Sequence, residues 1–200
     1  MRYEKGHKNV THDRILEVAA RRFRQQGIAA SGVAGIMSEA GLTNGAFYAH
    51  FSSKSDMIEK SLERATDEQW QQFDKEIASG RLLKFIRAYL SEQHRDHPDS
   101  GCPAAALLPE ISRQELTTRH SYTESVRRLL NAVEKQLPNI PKGPKGREIA
   151  IGLFGLLVGA LQLSRAVDDP SFSKAILTAG TRVAATLIQL SVDGRKNRVK

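Results

Sequence analysis

Apolar residues recur at intervals of three and four along this chain, beginning near Thr11 and continuing to about residue 192. That interval places them on one face of an α-helix. No window alternates apolar with polar residues for long enough to indicate a strand. The pattern therefore predicts an all-α protein of about nine helices.

Glycine, proline and capping residues predict where these helices begin and end. Gly27 and Gly41 are expected to end two helices and Ser79-Gly80 a third, while residues 138–144 carry three prolines and are expected to form a linker. Helix starts are expected at Ser53, Pro103 and Asp169. The predicted helices cover residues 12–26, 33–40, 43–51, 53–78, 81–95, 102–115, 117–137, 146–167 and 170–192.

Residues 31–51 carry two short helical patterns separated by a glycine turn. Ser31 is expected to cap the first helix, whose inner face consists of Val33, Ile36, Met37 and Ala40. Gly41 can take the left-handed conformation that ends this helix, and Leu42 can fold back as an apolar plug.

The second short helix is expected to begin at a Thr43 cap and to place Phe47 and Phe51 in the core, against Phe23 and Ile36. A compact outer face then remains, made of Asn44, Gly45, Ala46, Tyr48, Ala49 and His50. A helix-turn-helix inserts a short helix of this kind into the major groove of DNA.

Composition narrows the class of protein further. The chain has 200 residues and a formal net charge of +8, which favours an acidic partner. Its single cysteine, Cys102, forms no intrachain disulfide, as is typical of a reducing compartment. The first residues lack the apolar run of a signal peptide, and the apolar stretch 149–163 is shorter than the roughly 20 residues of a membrane span. We therefore expect a cytoplasmic protein without a membrane partner.

On these residues the chain resembles the TetR family of transcriptional repressors. The resemblance is strong over residues 11–60, and it is only architectural over residues 80–200. The residues that carry it are Ile15-Leu16, Ala19-Ala20, Phe23, Gly27, Ile36, Ala40-Gly41-Leu42, Gly45, Phe47-Tyr48, His50-Phe51, Ser53-Lys54 and Met57.

The resemblance implies a three-helix DNA-binding domain over residues 1–54 and a helical ligand-binding and dimerisation domain over residues 55–192. Residues 193–200 would form a basic, disordered tail. The last two helices would pair with their copies in a four-helix bundle, giving a homodimer. The expected interface consists of Gly152, Gly155, Leu156, Gly159 and Leu163. The alternative interpretation of this apolar helix is that it is buried within a monomer.

The resemblance also implies roles in DNA binding. Tyr48, His50 and Lys54 would contact phosphates, and the amides at the start of the helix after Ser31-Gly32 would face a phosphate. Asn44, Gly45 and Ala46 would face base edges in a palindromic operator. Ala46 stands where the family often has threonine, so readout of groove shape is expected to matter more.

The resemblance further implies a small inducer among helices four to eight. The candidate lining residues are Trp70, Phe73, Phe85, Tyr89, Cys102, Tyr122 and Phe154. Taken singly, each is better explained as ordinary core. Cys102 precedes Pro103 at an expected helix start, where a thiolate is favoured, so it is a candidate sensor of oxidants or electrophiles. The alternative is a small buried apolar residue.

Other chemistry is weakly indicated. His94, Asp96 and His97 could ligate a metal, but no third firm ligand follows, and they are equally a polar helix end. No nucleophile–base pair, phosphate-binding glycine loop or HExxH pattern indicates an enzyme. We expect no cofactor and no metal. The leading hypothesis is an inducible dimeric repressor, and the alternative is a constitutive or architectural DNA-binding protein.

Overall fold

The computed structural model describes residues 5–78, 81–136 and 143–196. Every regular element in these ranges is a helix, as the spacing of apolar residues predicts. The predicted break at Ser79-Gly80 and most of the predicted linker, residues 138–142, lie outside the described residues.

The observed helices follow the predicted order with shifted boundaries. They are α1 (Lys5–Gln26), α2 (Val33–Glu39), a 3₁₀ helix (Asn44–Ala49), α3 (Lys54–Ala78), α4 (Leu82–Tyr89), α5 (Glu92–Asp96), a second 3₁₀ helix (Pro98–Ser100), α6 (Pro103–Ile111), α7 (Leu116–Gln136), α8 (Pro144–Ala166) and α9 (Pro170–Lys196).

Several boundaries differ from prediction, and α6, for one, ends at Ile111 and not at residue 115. Helix α1 begins at Lys5, well before residue 12. The single helix predicted over residues 81–95 is two helices, because Ser91 starts a new one by accepting a hydrogen bond from the His94 amide at 3.1 Å. Pro144 lies at the first position of α8 and not in a linker, since proline lacks only an amide that a first turn does not use. Helix α9 continues through Lys196, into the predicted tail.

The described chain forms two compact units. Unit 1 comprises Met1–Gln69 with Pro98–Ser125, and unit 2 comprises Trp70–His97 with Val126–Lys200. Helices α3 and α7 contribute residues to both. The two packing units do not divide at residues 54/55, where the sequence analysis places a domain boundary. The functional domains over residues 1–54, 55–192 and 193–200 remain a prediction.

Unit 1 has one core, in which the apolar faces of α1, α2, the first 3₁₀ helix and the start of α3 meet. Phe23 and Ile36 are fully buried there, and Phe47 and Phe51 are each 2% exposed, as the sequence predicts. Leu107 and Ile111 of α6 belong to the same core, which the sequence did not indicate.

Unit 2 is built on the pair α8 and α9. Ala150, Leu153, Leu157 and Leu161 of α8 are buried. A Cβ added at Gly180 of α9 would lie 2.9 Å from the Cβ of Ala160, so glycine permits this close approach. Arg165 fastens the end of α5 by donating to the carbonyl oxygens of His94 at 2.6 Å and Arg95 at 3.0 Å.

Helix α8 is also the one helix of the described residues that is long and apolar enough, by length and composition, to cross a membrane. A core or interface helix of a soluble protein has the same properties, so this observation alone is weak support for a membrane segment.

The predicted turns and caps agree in part. Gly27 and Gly41 take φ of +88° and +70° directly after α1 and near the end of α2, as expected of helix-ending glycines. Asp169 caps α9 by accepting hydrogen bonds from the Ser171 and Phe172 amides at 2.8 and 3.1 Å. Pro103 lies in the first turn of α6.

The helix start expected at Ser53 carries a modified capping box. Ser53 Oγ accepts from the Asp56 amide at 3.0 Å, but the Asp56 carboxylate accepts from the amide of Ser52 at 2.9 Å. The helix start is therefore stabilised over one more residue than the motif requires.

Candidate nucleic-acid interface

The predicted outer helix of residues 43–51 is a 3₁₀ helix, Asn44–Ala49. Thr43 is its N-cap residue, but its side chain makes no capping hydrogen bond, so the predicted Thr43 cap is wrong in that respect. Hydrogen bonds of the 3₁₀ type join the Ala46 amide to the Thr43 carbonyl at 3.1 Å and the His50 amide to the Phe47 carbonyl at 2.9 Å. The 3₁₀ helix therefore leads directly to Phe51, and its inner face is directed toward the core.

The rings of Phe47 and Phe51 stack 5.5 Å apart inside unit 1. Their burial leaves Asn44, Gly45 and Tyr48 exposed, with Tyr48 at 79%. Ala46 is half-buried and packs partly against the core, so its methyl group is less accessible than the pattern predicts. The surface that the sequence singled out is therefore present, except at Ala46.

Helix α2 is fixed against α1 by ion pairs. Arg21 and Arg22 of α1 both pair with Glu39 at the end of α2, the second at 2.6 Å. The hydrogen bond from Arg22 holds the pKa of the Glu39 carboxyl below its usual value. These contacts fix the orientation of the α2–turn–3₁₀ segment relative to α1.

The prediction that Ser31 caps α2 is wrong. The N-cap residue is Gly32, and Ser31 is fully buried. Ser31 Oγ instead donates to the Gly27 carbonyl at 2.7 Å, which closes the loop between α1 and α2. A buried hydroxyl satisfied in this way does not reach a phosphate, whereas the exposed Gly32 lies at the helix start.

Lys54 lies at the first position of α3, as predicted, and its side chain is half-buried. Its Nζ donates to the carbonyl oxygen of Ile28 at 3.2 Å. An ammonium group has three donors, so this bond is compatible with a further contact to an anion. A cation at the start of a helix is unfavourable for the helix dipole, and the Ile28 carbonyl offsets this cost in part.

His50 is half-buried beside His12 of α1, a residue that the sequence analysis did not single out. The two rings are 6.0 Å apart, and His12 stacks on Phe51 at 4.7 Å. Burial lowers the pKa of both histidines, Lys60 lowers the pKa of His12 further, and the neighbouring His12 lowers that of His50. The Nδ1 atom of His50 is buried and has no hydrogen-bond partner among the described residues.

Four of the predicted ligand-lining residues form one aromatic cluster in unit 2. Ring centroids lie 5.6 Å apart for Trp70–Phe73, 4.5 Å for Phe73–Phe85 and 5.9 Å for Phe85–Tyr89. Phe154, on α8, is half-buried. The spacing of aromatic residues therefore identified a real cluster, though a packed cluster is equally a core.

The other two predicted lining residues, Cys102 and Tyr122, belong to unit 1. Cys102 is the N-cap residue of α6, as predicted, and is only 1% exposed. Burial raises the pKa of the Tyr122 hydroxyl, and the nearby Cys102 raises it further. The burial of the thiol favours the packing alternative over an accessible sensor.

The side chains of His94 and Asp96 are engaged by protein groups. Nδ1 of His94 lies 2.7 Å from the carbonyl oxygen of Tyr89, and Asp96 accepts from Arg95 at 2.7 Å, which lowers the pKa of Asp96. Within the described ranges, no group of three or more His, Cys, Asp or Glu residues could hold a metal ion.

The residues predicted for the dimer interface form one stripe on α8. Gly152, Gly155, Gly159 and Leu163 are exposed, and Leu156 is half-buried. A Cβ added at any of the three glycines would meet nothing within 4 Å in this chain. Ile151, next to the stripe, is 52% exposed and Leu163 is 54% exposed.

Residues 15–60 match the model of bacterial regulatory proteins of the tetR family. Over these residues the chain is similar to that family. The match includes the second half of α1, α2, the 3₁₀ helix and the start of α3, and it therefore lies on the helix-turn-helix segment described above. The resemblance to the TetR family that the sequence predicts is confirmed over this segment.

Relatives and solved structures agree with this assignment. An uncharacterised HTH-type transcriptional regulator, YfiR of Bacillus subtilis, is 29% identical over 63% of this chain and 66% of its own length. The HTH-type transcriptional repressor KstR2 of Rhodococcus jostii is 33% identical over 33% of this chain and 32% of its own length. The chain thus spans two thirds or less of the curated relatives it matches.

Over most of the chain the likeness to solved structures is one of fold. The crystal structure of the reduced form of Escherichia coli NemR has a TM-score of 0.74 and 21% identity, and the match covers 87% of this chain and 94% of NemR. The two proteins therefore share a helical fold that extends beyond the residues matched by the family model.

Proposed function

We propose that this TetR-family protein is a dimeric, sequence-specific DNA-binding repressor of transcription, released from its operator by a small molecule or a reactive species. The observation that carries the proposal is the exposed face of the 3₁₀ helix Asn44–Ala49, held outward by the buried Phe47 and Phe51. The family match to regulatory proteins covers this segment, and one relative, KstR2, is itself a repressor.

Base recognition would rest on few side chains. Asn44 can bond adenine with two hydrogen bonds in the major groove, and Gly45 lets the backbone approach the bases. Ala46, half-buried, can offer only part of its methyl group to thymine. We therefore infer that groove shape contributes a large share of the sequence preference.

Phosphate contacts would fix the register on the DNA. Tyr48 is the most exposed aromatic residue near this face, the ring of His50 lies 6.4 Å from that of Phe51, and Lys54 donates to the Ile28 carbonyl oxygen. Gly32, at the start of α2, is the exposed residue whose neighbouring amides can face a phosphate. The buried Ser31 supports the loop and is not proposed as a contact.

A homodimer is supported by two apolar stripes that a single chain leaves uncovered. On α8 the stripe consists of Gly152, Gly155, Leu156, Gly159 and Leu163. On α9, Phe172 and Val183 are 55% and 49% exposed. Uncovered apolar area on two long helices is typical of a helix–helix interface between subunits, and a two-fold dimer suits a palindromic operator.

Release from DNA would follow from linkage between two sites. Recognition helices of a dimer must match successive major grooves about 34–36 Å apart. A ligand that binds better to a dimer with another spacing lowers the DNA affinity by that difference in binding free energy. The aromatic cluster of Trp70, Phe73, Phe85 and Tyr89 would suit a small apolar or aromatic inducer.

A reactive species is the second candidate signal, because Cys102 starts α6. Its 1% exposure predicts slow alkylation in the folded protein. The test is the rate of reaction with iodoacetamide at pH 7 against the rate for the urea-unfolded chain. A folded thiol that reacts faster than the unfolded one would support a sensor, and a slower one would leave the inducer to be a small molecule.

The alternative is a constitutive or architectural DNA-binding protein, which would lack an inducer and would show weak sequence preference. The family is one of regulatory proteins, which is consistent with a protein that is not an enzyme. We place it in the cytoplasm, with the apolar α8 covered by a second copy and not by lipid.

The deciding experiment is selection of DNA sites from a random pool at physiological salt, with Asn44→Ala as a matched variant. We expect a palindromic consensus for the wild-type protein and an altered preference at the adenine-contacting positions for the variant. Absence of any enrichment would refute sequence-specific binding and favour the architectural alternative. The same consensus for both proteins would show that Asn44 does not read bases.

A further inference from the structure

The loop between α1 and α2 binds a carboxylate. Gly27 turns the chain with φ of +88°, and the next two amides, of Ile28 and Ala29, point to the same side. Both donate to Oε2 of Glu110 on α6, at 2.7 and 3.0 Å. Successive amides that converge in this way form an anion-binding concavity, and here the protein fills it with its own side chain.

Close packing at Gly27 makes this contact specific. A Cβ added at Gly27 would lie 2.6 Å from Oε1 of Glu110. Glycine is thus required twice at this position, once for its positive φ and once for the approach of the carboxylate. The two oxygens of Glu110 have distinct surroundings, one on the amides and one on the glycine.

The same peptide is held from its other side by Lys54. The carbonyl oxygen of Ile28 accepts from Nζ of Lys54 at 3.2 Å, while the side chain of Ile28 is 3% exposed in the core. Glu110 and Lys54 therefore hold opposite ends of one residue. Lys54 is also the residue we propose for a phosphate contact.

Helix α6 is rigidly placed for this role. Leu107 and Ile111, on either side of Glu110 in sequence, belong to the core that also contains α1 and α2. Cys102, the N-cap residue of this helix, lies eight positions before Glu110. All of these residues lie in unit 1. The short helix α6 therefore connects Cys102, the candidate sensor, to the loop between α1 and α2.

We propose that Glu110 is a positioning residue for DNA recognition. Its carboxylate sets the α1–α2 loop, the loop sets Lys54 and the start of α2, and a displacement of α6 reaches the DNA-binding surface through this contact. The inference rests on the proposed function, because positioning is meaningful only if unit 1 binds DNA.

Removal of the charge should weaken the contact without changing its shape. Glu110→Gln keeps the length and one acceptor, but it replaces two charge-assisted hydrogen bonds by neutral ones, which are about half as strong. We expect hydrogen exchange at the Ile28 and Ala29 amides to become about tenfold faster.

The matched control is Glu115→Gln, which removes the same charge from an exposed residue bonded to Ser55 and not to the loop. Each variant loses one negative charge and therefore gains the same long-range attraction to DNA. A difference in DNA affinity between the two variants then depends on where the charge was removed. For Glu110→Gln we expect a dissociation constant for the selected site about tenfold above that of the control.

Two readouts separate positioning from stability alone. If Lys54 is misplaced in Glu110→Gln, the slope of log affinity against log salt should fall by about one, as it should in a variant that lacks Lys54. In the double variant, which carries both changes, the slope should fall no further. A lower melting temperature with unchanged slope and affinity would refute the proposal and leave Glu110 a structural residue.

Glu110→Asp provides a second test should Glu110→Gln fail to fold. It keeps the charge but is one methylene too short to reach both amides, so we expect the same loss of DNA affinity. Wild-type DNA affinity in Glu110→Asp would overturn the proposal, because a carboxylate that cannot reach both amides would then be sufficient for DNA binding. Failure of the wild-type protein to bind any DNA would instead refute the proposed function, while the exchange rates would still test the contact.

Discussion

Phe47 and Tyr48 are neighbours in sequence with opposite surroundings, since Phe47 is 2% exposed and Tyr48 is 79% exposed. Their rings nevertheless meet edge to face, with centroids 5.1 Å apart. The buried ring thus supports the exposed one and limits the directions that the Tyr48 hydroxyl can take. An outward aromatic residue held in this way is well suited to a fixed contact with a DNA phosphate.

Tyr48→Phe should weaken binding to all sites by a similar factor, about tenfold or more, because it removes one hydrogen bond to a charged phosphate, which contributes about 1.5 kcal/mol or more. The ring contact with Phe47 is retained, so the fold should not change. The salt dependence of binding should also remain, since tyrosine carries no charge. Fluorescence anisotropy at several salt concentrations, on the selected site and on a scrambled site, measures both. A loss confined to the selected site would instead assign Tyr48 to base recognition.

Lys54→Ala should reduce the slope of log affinity against log salt by about one, because a cation that neutralises a phosphate releases one counterion. Lys84→Ala is the matched control, since Lys84 is an exposed lysine of α4 in unit 2. We expect the control to keep the wild-type slope. Equal slopes for the two variants would mean that Lys54 serves only the Ile28 carbonyl.

Gly155→Glu should convert the protein to monomers. The position lies in the exposed apolar stripe of α8, with nothing within 4 Å of an added Cβ in this chain. A charge there costs nothing in a monomer but is unpaired and buried in a helix–helix interface. Thr178→Glu, on the exposed polar face of α9, is the control and should remain dimeric by light scattering. If Gly155→Glu also remained dimeric, the interface would lie elsewhere.

The stability of the protein should fall as the pH drops below about 6.5, in part through His94. Burial lowers the pKa of His94 in the folded state, and the nearby Arg165 lowers it further, against the raising effect of the Tyr89 carbonyl. The unfolded chain then binds a proton more readily than the folded one. The stabilisation is therefore complete above the unfolded pKa and is lost as the pH falls through the folded pKa.

His94→Gln should flatten this dependence between about pH 6.5 and pH 5, as measured by urea unfolding at several pH values. The exposed His120 provides the control variant, His120→Gln, which should keep the wild-type dependence. His12 and His50 contribute with the same sign, so the flattening is expected to be partial. A steeper fall in His94→Gln than in the wild-type protein would contradict the assignment.

Structural features that depend on residues close together in sequence were predicted well. The glycines at 27 and 41, the buried Phe47 and Phe51 and the Asp169 cap each depend on a few neighbouring positions, and the structure places them as expected. Periodicity alone also predicted the all-helical class, because a helix repeats its faces regularly whatever surrounds it.

Tertiary structure decided the rest, because side chains choose among partners that are distant in sequence. Ser31 could cap α2 by its position, but burial turned its hydroxyl to the Gly27 carbonyl. Nothing near residue 110 indicates that Glu110 fills the amide concavity at Ile28 and Ala29, 82 and 81 positions away. The sequence by itself determined the helical class and most of the faces that the helices bury, and only the packing of those helices decided which polar groups meet.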